Sequence, residues 1–245
     1  MAAFISDELF HFVGRSHPHD HEANYETLKL ILTRGCISHP PHADDWGTTG
    51  YRLDLSKRLH AEELLVPTVT CFCDIPFASL SLHLQKYGFF GVALSRHLFV
   101  RHGARPVMYV PTRSDDFWSA RGGGTDVLAS LEATFRGLRS QLAPPIRNNG
   151  RSLSVPVKEP STPEAAIEHL ERTLALEVLA YVKPFDSTLQ VSDPNYYYSE
   201  REWRKFGNMR FQQGDVTRVV VHPQFVERLK AYLPAYSQRI CASPE

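Results

Sequence analysis

The chain has 245 residues, 27 Lys and Arg against 27 Asp and Glu, a formal net charge of zero, 42% hydrophobic and 22% charged residues. That balance is ordinary for a globular protein long enough to bury a sizeable core without staples. It argues against broad wrapping on nucleic acid, which needs many phosphate-neutralising cations, and leaves room for a local basic groove.

No segment reads as a signal peptide or a membrane span. The four cysteines, Cys36, Cys71, Cys73 and Cys241, lack zinc-knuckle or thioredoxin spacing. They read as buried small residues of a reduced, cytoplasmic chain with no membrane partner.

Leu9 to Val13, bounded by Gly14, is a short apolar run that predicts a strand with His11 embedded. A His- and Pro-rich loop follows. Asn24 is placed as the cap of a helix over 25–33, with a stripe of Leu28, Ile31 and Leu32 and a stop at Gly35. Thr68 to Cys73 has strand character and ends at Asp74 and Pro76. A helix over 78–87 closes at Gly88, a strand spans 89–94, and a short helix over 95–102 stops at Gly103. Pro106 to Val110 predicts another strand.

Residues 112–163 differ in character, with Gly122-Gly-Gly124, Pro144-Pro145 and Asn148-Asn149-Gly150, and carry a helical pattern over 126–142. They read as an insertion or lid, because strand-type segments resume afterwards. A second helical segment spans 165–176, a charged strand 196–205, a strand 216–221 and a helix 224–233. Strands and short helices alternate irregularly. This predicts one α+β domain over 1–245 with a mixed or antiparallel central sheet. No glycine-rich phosphate loop is present, and Gly122-Gly-Gly124 reads as a loop.

The densest chemistry is Tyr196-Tyr-Tyr-Ser-Glu200-Arg-Glu202-Trp-Arg204. As a strand it would align Glu200, Glu202 and Arg204 on one face. Two carboxylates among aromatics suit acid–base or electrostatic work; the same groups can equally pair across strands. Asp74 ends a buried strand at a turn, where it either presents a functional carboxylate or caps the turn. His83 and Tyr87, four apart, share one helix face and either line a pocket or simply pack. His17, His19, His21, His39 and His42 suggest metal by type, but His19-Asp20-His21 lacks the spacing of a zinc motif, and no metal is expected.

Three groups of segments together resemble the AbiGi family of abortive phage resistance proteins. They are 9–14 with 25–35, then Thr70-Cys-Phe-Cys-Asp-Ile-Pro76 through Tyr87-Gly88 to Tyr109, then Tyr198-Ser-Glu-Arg-Glu-Trp-Arg204. The resemblance implies phage defence and an antitoxin-like partnership with a nucleotidyltransferase-like toxin. A wider resemblance is to ADP-ribosyltransferases, on His11, Leu28, Ile31-Leu32, Gly35 and Glu200-Arg-Glu202. It implies an ADP-ribosyltransferase-like fold and NAD as substrate, with transfer to a nucleic-acid or protein acceptor, or hydrolysis of NAD. On that mapping Glu202 is catalytic with Glu200 as partner. His11 holds a ribose, Tyr51, Tyr87 or Tyr109 takes the middle aromatic role, with Tyr87 placed to stack on nicotinamide, and Asp74, His83 and Arg204 complete the NAD-binding set. Glu202 would then face His11 across an NAD-sized cleft. The rival expectation is a non-catalytic antitoxin or sensor that binds a toxin or phage protein, with Glu200, Glu202 and Arg204 as a structural ion-pair network.

Overall fold

The computed structural model describes residues 6–38, 50–59, 63–112, 123–142, 161–193 and 195–244. Strand β1 (Glu8–Phe12) leads into helix α1 (His21–Arg34). The cap of α1 is Asp20, whose carboxylate accepts the Ala23 N–H at 3.1 Å. Asn24, expected as the cap, is buried inside the first turn and donates to the His17 carbonyl instead. Gly35 ends the helix at φ 60°, a left-handed conformation open to glycine, and its N–H reaches the Ile31 carbonyl.

Strands β2 (Cys36–Ile37), β3 (Tyr51–Leu53), β4 (Leu65–Pro67) and β5 (Val69–Cys73) follow. A 3-10 turn at Phe77–Ser79 precedes α2 (Ser81–Tyr87), β6 (Gly91–Ser95) and α3 (Arg96–Arg101). The single strand expected over 106–110 divides into β7 (Arg105–Pro106) and β8 (Met108–Pro111), which join different sheets. Pro106 has no N–H to extend a ladder, so β7 stays a two-residue edge. Next come α4 (Gly124–Ser140) and α5 (Pro163–Thr173), the latter running into a π-helical turn at Leu174–Val178. Strands β9 (Val182–Phe185), β10 (Glu202–Phe206), β11 (Met209–Arg210) and β12 (Val216–Val221), helix α6 (Val226–Tyr232) and strand β13 (Ile240–Ala242) complete the chain.

The stretch expected as one strand over 196–205 is corrected. Tyr197–Glu200 is a 3-10 turn and β10 begins only at Glu202. Between them Arg201 has φ 46°, the one positive-φ non-glycine among the described residues. That kink breaks the two-residue alternation, so Glu200 and Glu202 are not neighbours along one strand face.

The chain forms two compact units. The first comprises Met1–Trp46, Thr70–Pro106 and Ser199–Glu245. Its seven-stranded sheet has the order β13-β12-β6-β1-β5-β10-β7. Pairing is antiparallel at β1/β5, β1/β6, β6/β12 and β7/β10, and parallel at β12/β13. The result is a mixed, mostly antiparallel sheet, as the sequence predicts. Alternation divides its side chains cleanly. Leu9, Phe72, Val92, Leu94 and Val219 pack against α1, α3 and α6 through Leu28, Ile31, Phe99 and Leu229. Phe10, Phe12, Cys73, Ala93 and Val220 pack on the other side against Leu80 and Leu84 at α2. Each such side chain contributes about 1.5–3 kcal/mol by leaving water.

The second unit comprises Gly47–Val69 and Val107–Tyr198. It pairs β3 with β4 antiparallel and β8 with β9 parallel. The helix expected over 126–142 is α4, held by Glu132, which accepts the Leu59 N–H and pairs with Arg136. Burial raises the Glu132 carboxyl, but these two donors outweigh it and leave the group below the usual range. The described part of the expected insertion thus belongs to a larger unit. Gly122 and the Pro144-Pro145 and Asn148-Asn149-Gly150 signals lie outside the described residues.

Candidate functional site

The chemistry-bearing side chains of the first unit gather around the end of β5, the C-terminal turn of α2 and the start of β10. On α2, His83 and Tyr87 share a face, ring centroids 4.4 Å apart, and His83 rests on Phe12 at 5.2 Å. Glu200 Oε1 accepts from the Tyr87 hydroxyl and from Lys86 Nζ, each at 2.6 Å. Burial, and then the Glu200 carboxylate, hold the Tyr87 hydroxyl well above its ordinary range, so it remains a donor. Burial also pushes the Cys73 thiol up, helped by Glu200 and Asp74; a thiolate nucleophile is disfavoured there. The loop after β1 is pinned to α2: the Gly14 N–H donates to the Tyr87 carbonyl at 3.0 Å. A Cβ at residue 14 would lie 2.5 Å from that oxygen, so only glycine lets the loop close.

Glu202 and Arg204 sit two residues apart on one face of β10 and both are buried, 6% and 8% exposed. Arg204 Nε donates to Glu202 Oε1 at 2.6 Å, a compact charge-assisted pair. Trp203 points the other way, onto the cluster that holds Leu9 and Phe72. Glu202 and Arg204 therefore lie on the α2 side of the sheet, with Glu200, His83 and Tyr87.

His11 is on the opposite side. It stands across from Val92 in the ladder, in phase with Leu9, and its ring leans on Phe72 at 5.6 Å. Its Nδ1 is 2.9 Å from the Cys71 carbonyl. A carbonyl can only accept, so Nδ1 carries the proton and neutral His11 presents Nε2 as an acceptor. Burial lowers the pKa of His11, with the Cys71 carbonyl partly offsetting it. Asp74 ends β5, buried, and takes Arg96 at 2.8 Å and Arg201 at 3.3 Å. Arg96 in turn covers Trp203 at 5.3 Å.

Five of the seven residues singled out from the sequence thus come together: Glu200, Glu202, Arg204, His83 and Tyr87. His11 does not join them, and Asp74 reaches them only through Arg201, between Glu200 and Glu202. The expected arrangement in which Glu202 looks at His11 is corrected, because the sheet stands between them. Strand parity decides this: Trp203 takes the face His11 shares, and Glu202 takes the other. Lys86, Arg96 and Arg201 were missed. Lys86 was available as the neighbour of Tyr87, whereas Arg96 and Arg201 meet Asp74 across 22 and 127 residues with no local signal.

The histidine-rich loop does not converge. His21 stacks on His222 at 4.6 Å and meets Phe89 edge-on, while His39 and His42 lie outside the described residues. Among the described residues no group of three or more His, Cys, Asp and Glu is placed to hold a metal ion. No described helix is long and apolar enough to cross a membrane.

No curated protein and no solved structure matches the chain. The family model described as "Putative abortive phage resistance protein AbiGi, antitoxin" matches residues 50–238. That span takes in α2, the Asp74 turn, β10 and nearly all of the second unit, so the chain belongs to the AbiGi family.

Proposed function

We propose that the chain serves abortive phage resistance as an antitoxin that binds a partner toxin, and that its buried charges hold the fold together. The observation that carries this reading is the closure of each site carboxylate. Asp74 has two guanidiniums, Glu200 an ammonium and a phenol, Glu202 a guanidinium, all within 3.3 Å. Carboxylates so compensated are stabilised in place and drawn away from proton transfer. The family description supplies the antitoxin role. A contact surface for such a partner is offered by the second unit, where Tyr198, 51% exposed, meets Tyr109 and Phe185 at 5.2 Å and Tyr196 at 6.1 Å. Clustered tyrosines give large, rigid contact area at low entropic cost.

The test is co-expression with the cognate toxin, scoring growth, alongside purification of the complex. Glu202→Gln should still neutralise the toxin and still bind it. Loss of neutralisation by a folded, binding-competent Glu202→Gln chain would sink the antitoxin-by-binding reading.

A second reading, an NAD-dependent ADP-ribosyltransferase or NAD glycohydrolase, is favoured by the gathering of Glu200, Glu202, His83, Tyr87 and Arg204 on one side of the sheet. Cleavage of the nicotinamide–ribose bond develops positive charge on the ribose, which a carboxylate stabilises. Glu202 would have to exchange Arg204 for ribose hydroxyls, with Glu200 beside it. His11 could contribute only from beyond the sheet. Incubation with labelled NAD, with and without phage lysate, decides it: consumption or transfer by wild type that Glu202→Gln abolishes supports this reading, and inert NAD throughout removes it.

A further inference from the structure

Arg172, in the last turn of α5, carries an unmet demand. Its Nε and Nη2 are buried and make no hydrogen bond. Buried donors are nearly always paired, and a guanidinium cannot escape by losing its proton. Around it, the Tyr51 hydroxyl donates to Glu171 Oε1 at 3.3 Å, and Arg139 Nη1 approaches the same oxygen at 3.5 Å. The group therefore sets Arg139 and Arg172 against Glu171, with Glu168 close by. Burial pushes the Glu171 carboxyl up, toward its neutral form, and Glu168 adds to this; Arg139, the Tyr51 hydroxyl and Arg172 only partly counter it. Burial, and then Glu171, also raise Tyr51 to about 12, which keeps the phenol protonated. The π-helical turn at Leu174–Val178 follows directly, an irregularity frequent at functional sites.

The two unmet donors form the side-on edge of the guanidinium, whose parallel N–H groups match two oxygens of one oxyanion. Arg172 as a whole is partly exposed, so an ion can approach along the side chain. We propose that this edge of Arg172 anchors an oxyanion site in the second unit, taking a phosphoryl or carboxylate group in bidentate fashion, with Arg139 as the second positive charge. The site uses none of the carboxylates near β10.

Thermal unfolding of the full chain tests it, in sodium phosphate, sodium acetate and sodium chloride at matched ionic strength. The expected result is a saturable rise in Tm with phosphate or acetate above chloride, and the anion that acts identifies the source of the oxyanion. Arg172→Met should lose that response while its Tm in chloride stays level or rises, because no orphaned charge remains. Arg172→Lys, which keeps the charge but not the fork, should need at least tenfold more anion for the same shift. Equal Tm values in all three salts for wild type would overturn the proposal, as would an undiminished response in Arg172→Met. If Arg172→Met does not fold, the comparison of wild type with Arg172→Lys by titration calorimetry decides: equal affinities overturn the site.

Discussion

Glu202 and Arg204 show how a side chain that looks catalytic in sequence acquires another role. Both leave water, and their 2.6 Å contact offsets the desolvation. Removing one partner strands the other, which typically costs about 3–5 kcal/mol, whereas replacing both with apolar groups of similar volume is often neutral or better. Glu202→Ala should therefore lower stability by about that amount in urea unfolding, and Glu202→Leu with Arg204→Met should recover most of it. A single-variant loss below about 1 kcal/mol would show that the pair is not holding β10. His11 gives a pH prediction. Burial lowers its folded-state pKa beneath the ordinary value of about 6.5. The unfolded chain thus takes up the proton first as pH falls. Stability is fully present above about pH 6.5 and declines from there toward the lower folded-state value. His222, lowered by burial and then by His21, adds to the same slope. His11→Gln should flatten the decline measured by denaturant midpoint between neutral and mildly acid pH; an unchanged slope would assign it to His222 and other groups.

At the scale of elements, the agreement between sequence and structure follows the period of the apolar pattern. Helix α1 is legible because Leu28, Ile31 and Leu32 repeat on one stripe and Gly35 supplies the left-handed stop. Its start is less legible, since Asp20 and Asn24 are both good capping types and only the Ala23 N–H distinguishes them. Asp20→Ala should cost about 1 kcal/mol, while Gly35→Ala should cost more than about 1–2 kcal/mol, because its positive φ adds to a Cβ only 2.6 Å from the Phe211 carbonyl oxygen. Asn24→Ala tests the alternative: its effect should come from the lost His17 contact, visible as loosening of the 15–20 loop in hydrogen exchange. The Tyr196–Lys205 segment fails for the opposite reason. Aromatic and charged residues close together look like a strand, yet its two carboxylates find their partners on either side of Arg201, which has φ 46°. The strain there is offset by the Arg201 carbonyl accepting the Asp74 N–H at 3.2 Å and by the Arg201–Asp74 ion pair.

At the scale of the whole molecule, the two units have different tasks on the reading proposed here. The first holds its charges internally; the second offers the Tyr109, Phe185, Tyr196 and Tyr198 cluster. Tyr198→Ala should weaken binding to the partner toxin at least tenfold, about 1.4 kcal/mol. It should leave Tm nearly unchanged, because half of the ring is already in water. Undiminished binding would move the contact surface elsewhere. The sequence by itself determined the α+β class, a sheet that is mixed or antiparallel, α1 and its glycine stop, and family membership. These rest on local periodicity and on short motifs, which need no knowledge of distant neighbours. Only the tertiary structure decided which side of the sheet each functional group occupies. Strand parity and the kink at Arg201 put Glu202 with Arg204 near α2 and His11 with Phe72 behind the sheet. It also decided which charges are already answered and which, at Arg172, are not, because a buried charge is compensated by neighbours in space that sequence order does not reveal.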